Sequence, residues 1–162
     1  MTTKIAVTLS ADYRVTDATF GDTSKALLKP IIDALASGNQ TDQANRAYPF
    51  TGATSTGGVT FDLSGSLTDA FGNTLSLTSV QCIIIRNLST TVGEDLIVGN
   101  GANPFATFVG ASVQSFTIKE DGFIILWAPK TGYTVTAGTG DILKIASAAG
   151  TPSYELIVIG RT

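Results

Sequence analysis

"FIILWAPKTGYTVTAGTGDILKIAS", residues 123–147, sets a run of bulky apolar residues against a stretch of Gly and Thr whose only charges are Lys130, Asp141 and Lys144. Its first part, FIILWAP, is apolar on both sides: Phe123, Ile125 and Trp127 fall on one face of an extended chain, Ile124 and Leu126 on the other. A short continuous apolar run opened by Gly122 and closed by Pro129 predicts a central strand covered on both faces. The rest supplies two shorter candidates, GYTVTAG and GDILKIAS, separated by turn residues. This stretch reads as sheet scaffold first. Trp127, the only Trp, ends its strand where the indole N–H can reach a turn carbonyl, which suits core packing or a subunit contact; a sugar-stacking platform is the alternative.

Working outward, SYELIVIG puts Tyr154, Leu156 and Val158 on one face, and GGVTFDL does the same with Val59, Phe61 and Leu63. TLSLTSVQCIIIRNLS carries one strand on Leu75 and Leu77 and a nearly all-apolar one from Val80 to Ile85, expected to be covered on both faces. NRAYPFT is a further short candidate, and DAFGNT supplies a turn at Gly72 and Asn73. EDLIVGNGANPFATFVG predicts two short strands around Gly-Asn-Gly; SVQSFTIKEDGFIILWAP predicts two more, turned at Glu120 to Gly122. Met1 to Leu9 alternates, with Ile5, Val7 and Leu9 on one side. Only DTSKALLKPIIDALASG departs from strand periodicity, with apolar residues at spacings of three and four that allow one short helix near residues 24–37. Pro30 opposes it by removing a helix hydrogen bond and biasing Lys29 toward extended backbone, so a Pro-broken extended segment stands beside the helix. Short strands at intervals of about 8–12 residues define an all-β class, a single-domain, jelly-roll-like β-sandwich over residues 1–162.

Composition narrows the function classes. The 162 residues suffice for one core. Charged residues are only 14%, against about 25% in ordinary globular proteins. A surface so sparingly charged suits burial against neighbouring subunits; the alternative is a hydroxyl-rich β surface that stays free. The formal net charge of -3 and the scatter of ten Lys and Arg leave no basic stripe for nucleic acid. Mean hydropathy is +0.27, yet the longest apolar runs stop far short of the roughly 18 residues of a spanning helix, so no membrane partner is expected. The start lacks the charged and apolar regions of a signal peptide, from which cytoplasmic synthesis is expected.

Chemistry is scarce. No His is present, which removes Ser-His-Asp and Cys-His arrangements and the cupin type of metal site. Lone Cys82, among aliphatic residues, reads as a small core hydrophobe. Glu94-Asp95 and Glu120-Asp121 are adjacent acids at strand ends or turns, where solvated residues belong. Asp62, Asp69, Asn73 and Asp141 lack the alternate-residue spacing of a calcium loop, and neither GTGD nor GDTSK has phosphate-loop spacing. No catalytic residue, cofactor or metal site is expected.

The segments DLSGSLTDAFGNTLSLTSVQCIIIRNLS (62–89), GGVTFDL before it, and GFIILWAPKTGYTVTAGTGDILKIASAAGTPSYELIVIG resemble small virion structural proteins of tailed bacteriophages, over about Val59 to Gly160. The resemblance implies a capsid-associated protein of the head decoration or cement type, not an enzyme. It implies assembly as a trimer or similar oligomer, with the major capsid protein as partner and the outer virion surface as location. Under it, residues 1–50 are the more variable part, adapting to the particular shell through Met1 to Arg14, including Tyr13 and Arg14, and through Arg46, Tyr48 and Phe50 of NRAYPF. Phe105 and Phe108, flanking a turn, and Trp127 are further contact candidates, with core packing as the alternative for the two Phe. A tail, baseplate or fibre module binding a host glycan through Trp127, Tyr133 or Tyr154 is the competing expectation.

Overall fold

The computed structural model describes residues 5–9, 12–16, 23–27, 31–70, 72–111 and 113–162, with side chains from residue 38 onward. The chain divides into two compact units, Met1–Ser37 and Gly38–Thr162, with the break upstream of the residue-50 limit of the variable part.

In the first unit β1 (Ile5–Leu9) pairs antiparallel with β4 (Ile31–Ser37), Ile5 opposite Leu35 and Leu9 opposite Ile31. A second ribbon joins β2 (Asp12–Thr16) to β3 (Thr23–Leu27). The stretch open to helix is thus extended on both sides of Pro30, which itself lies outside the described residues. The helical spacing of its apolar residues loses to the backbone restriction around proline.

The second unit opens with β5 (Gln43–Ala44) and β6 (Arg46–Ala53), followed by β7 (Val59–Asp62), a small ribbon of β8 (Ser64–Thr68) with β9 (Thr74–Ser76), then β10 (Ser79–Asn87), β11 (Leu96–Gly99) and β12 (Ser115–Ile118). Next come β13 (Phe123–Trp127), the two-residue β14 (Tyr133–Thr134), β15 (Ile142–Ser147) and β16 (Ser153–Arg161). One sheet has the order β13-β10-β16-β6, with β14 also on β10; the other has the order β12-β11-β15-β7. All these pairings are antiparallel. Outermost strands pair first with last: β6 with β16, β7 with β15, β10 with β13, β11 with β12. The domain is therefore one long antiparallel ribbon folded back and forth between two sheets, closed by β10 on β16 and β11 on β15. That strand order is a jelly roll.

Alternation explains why the ribbon rolls up. β16 buries Tyr154, Leu156 and Val158, and β10 buries Val80, Ile83 and Ile85 on the same side. They meet Phe61, Leu96, Val98, Leu143 and Ile145 from the facing sheet. Each such side chain contributes about 1.5–3 kcal/mol of transfer free energy. Tyr48, Phe50, Phe61 and Tyr154 form one aromatic cluster across the two sheets, with Phe50–Phe61 the closest pair at 5.0 Å between centroids.

Two sequence expectations are corrected. FIILWAP is an edge strand, since β13 ends its sheet and none of its residues is fully buried. Second, only one strand, β11, forms within EDLIVGNGANPFATFVG. Gly99 and Asn100 both take positive φ, 112° and 53°, turning the chain out of the ladder, and a Cβ on Gly99 would stand 2.6 Å from the Gln114 carbonyl oxygen. The connection that follows is pinned by aromatic packing instead: Phe108 contacts Phe105, Phe116 and Tyr133.

Candidate interaction surface

The residues of the larger sheet that alternate with the core residues form its outer face. Pairing registers place Ile125, Ile84, Ile157 and Pro49 in one row across β13, β10, β16 and β6. The next row, toward the Gly122 turn, is Phe123, Arg86, Glu155 and Thr51; the row on the other side is Trp127, Cys82, Ile159 and Ala47. Cys82 and Ile159 are buried, so the accessible part of the face lies toward Phe123, which is 58% exposed, and Ile157, 37% exposed. An apolar row of this kind, bordered by one Arg and one Glu, is the composition of a contact surface with a polar rim.

The contact candidates named from sequence scatter over the fold. Tyr13 and Arg14 lie on β2, and their side chains are outside the described residues. Arg46 ties β6 to the β8–β9 turn, with Nε 3.4 Å from Asp69 Oδ2 and NH1 donating to the Asn45 carbonyl. Tyr48 and Phe50 are half-buried and point inward into the aromatic cluster, while Pro49 between them faces out. Phe105, 1% exposed, is a core residue rather than a surface anchor, and Phe108 packs against the same core. Trp127 is half-buried in the outer-face row with Cys82. Ile84, Ile125, Ile157 and Phe123 were not singled out; their signal was apolarity on both sides of a strand, which was read as core.

The carboxylates mostly serve local structure. Asp62 Oδ1 accepts from the Ser64 N–H, Asp69 Oδ1 from the Asn73 N–H, and Asp141 Oδ2 from the Gly138 N–H. At the opposite end from the Asp69 turn, Lys119 Nζ donates to Asp95 Oδ2 at 2.6 Å. That hydrogen bond holds the Asp95 carboxyl below its ordinary range and raises the Lys119 ammonium. Lys119 thereby occupies the place a cation would take beside Asp95 and Glu120. Among the described residues no group of three or more Asp, Glu or Cys is arranged to hold a metal. Burial pushes the Cys82 thiol up to about 11, which keeps it protonated and inert.

A shallow groove of about 330 Å³ opens where the connections before β12 and around β14 meet, lined by Pro104, Thr107, Ala111, Thr134, Thr136 and Gly140 among others. Its walls are small or hydroxyl-bearing and carry no charge. Tyr154, fully buried, is removed from the set of sugar-stacking rings. Comparison with protein-family models, with curated proteins and with solved structures finds no match to this chain.

Proposed function

We propose that the protein is a bacteriophage capsid decoration, or cement, protein that oligomerises on the head surface and bridges neighbouring major capsid proteins. The observation that carries this reading is the outer face of the larger sheet, where Phe123, Ile125, Ile84 and Ile157 stand partly exposed on an otherwise inert jelly roll. The resemblance of residues 59–160 to phage virion proteins supports it, as does a surface with few charges to desolvate on docking. In this role the chain does mechanical work without bond chemistry: many modest contacts, repeated by the symmetry of the shell, add up to avidity. Its acidic balance suits the outside of the head, away from DNA. Immunogold labelling of intact virions tests the placement. Gold over the outside of heads is the expected result, and gold confined to tails, or virions without label, overturns it.

A second reading rests on the groove lined by Thr107, Thr134 and Thr136, whose uncharged hydroxyl walls suit a neutral host-surface glycan bound by a tail or fibre module. Saturable glycan binding that is lost in Thr134→Val/Thr136→Val and accompanied by tail labelling would favour it.

A further inference from the structure

The edges of the sandwich are not equally protected. β6 carries Pro49 in its middle, which cannot donate to a further strand. β7 and β12 are only four residues long, the first closed by Asp62 and the second running into Lys119. Short strands, proline and lysine are the usual means of discouraging edge pairing. β13 has none of them: Phe-Ile-Ile-Leu-Trp is five residues without charge, Pro or Gly. No other described strand lies along its outer edge. Its side chains are apolar on both faces, the pattern of a strand with neighbours on each side, yet none of the five is fully buried.

We propose that the β13 edge pairs with β13 of a second copy of this chain, antiparallel about a twofold axis at Ile125, continuing the larger sheet from one subunit into the next. The flanking charges select this occupant. β13 leaves a turn carrying Asp121, 70% exposed at its side chain, and enters one carrying exposed Lys130. A strand acidic before its start and basic after its end is complementary to itself when run antiparallel. Side chains of paired residues must share a face of the sheet, so the paired numbers sum to an even value. With Ile125 opposite its own copy, Phe123 stands opposite the second copy's Trp127, and Asp121 falls beside the second copy's Lys130. The outer-face row is then doubled in length, with Ile125 at its centre. The contact is isologous and closes at two. It stands independently of the decoration reading, because it concerns copies of this chain in the absence of any shell, and it is twofold where the resemblance implies a trimer.

Sedimentation equilibrium of the full chain at two salt concentrations tests it. The expected result is a dimer that weakens at least about tenfold in Asp121→Lys or Lys130→Asp alone and recovers in the double charge exchange. Both positions are exposed, so neither change threatens folding. Ile125→Cys treated with a short bis-thiol reagent should give a covalent dimer, whereas Val113→Cys, 76% exposed outside the strands, should not. A monomer at all concentrations overturns the proposal. So does a trimer, or a dimer indifferent to both charge changes.

Discussion

Phe50 on β6 meets Phe61 on β7 edge to face, with ring centroids 5.0 Å apart and planes at 71°. The two strands belong to opposite sheets, so this pair closes the sandwich where the ribbon begins to roll, backed by Tyr154 from β16. Phe61 is 2% exposed. Its replacement by Ala removes ring contacts to three partners and leaves a cavity between sheets. Phe61→Ala is expected to cost about 3–5 kcal/mol, and Phe61→Leu less, read from urea midpoints. Equal, small losses for both would mean that the aromatic cluster does not join the sheets.

Tyr154 shows the opposite side of core design. Its ring fills the cluster, but its hydroxyl is buried without a hydrogen-bond partner, and that burial raises its pKa. An unsatisfied buried hydroxyl costs about 1–3 kcal/mol, so removing it while keeping the ring relieves a penalty. Tyr154→Phe should leave the protein as stable as the parent or up to about 1–2 kcal/mol more stable. A clear loss of stability, measured by the same denaturation, would reveal a partner for the hydroxyl.

Cys82 ties stability to alkaline pH. Burial raises its thiol from 9.0 to about 11, so the fold favours the neutral form. The sign follows: this contribution is fully present below pH 9, where the unfolded thiol is also neutral, and is lost as pH rises from 9 to about 11. Two pH units correspond to roughly 2–3 kcal/mol. Tyr48 and Tyr154, whose phenols are also raised by burial, act in the same direction. Urea midpoints across this range should fall more steeply in the parent than in Cys82→Ala, and native Cys82 should resist thiol reagents at pH 8. Parallel slopes, or rapid modification of the folded protein, would contradict the burial account.

Much of the scaffold was legible from residue order because alternation reports local burial. Val80 to Ile85 reads as a strand covered on both faces and occupies the middle of the larger sheet; Tyr154, Leu156 and Val158 read as one buried face and are one. Strand order was not legible, since β6 beside β16 is a pairing between the two ends of the domain and leaves no mark on neighbouring residues. FIILWAP was misplaced for a related reason: two-sided apolarity states that both faces need cover, not whether this chain provides it. Phe105 failed as a surface candidate because an aromatic beside a turn looks the same in sequence whether it is an anchor or a plug for a long connection. The Pro30 region resolved toward strand because a single ring outweighs weak helical spacing.

The central claim is that this jelly roll reinforces a viral shell by lying on it. The direct measurement is a titration of purified protein onto phage heads lacking it, following both the amount bound and the temperature at which the heads release their DNA. The account predicts saturable binding at a fixed ratio to the major capsid protein and a higher release temperature at saturation. Heads that bind none of it, or that bind it to saturation and open at the same temperature, would contradict the account.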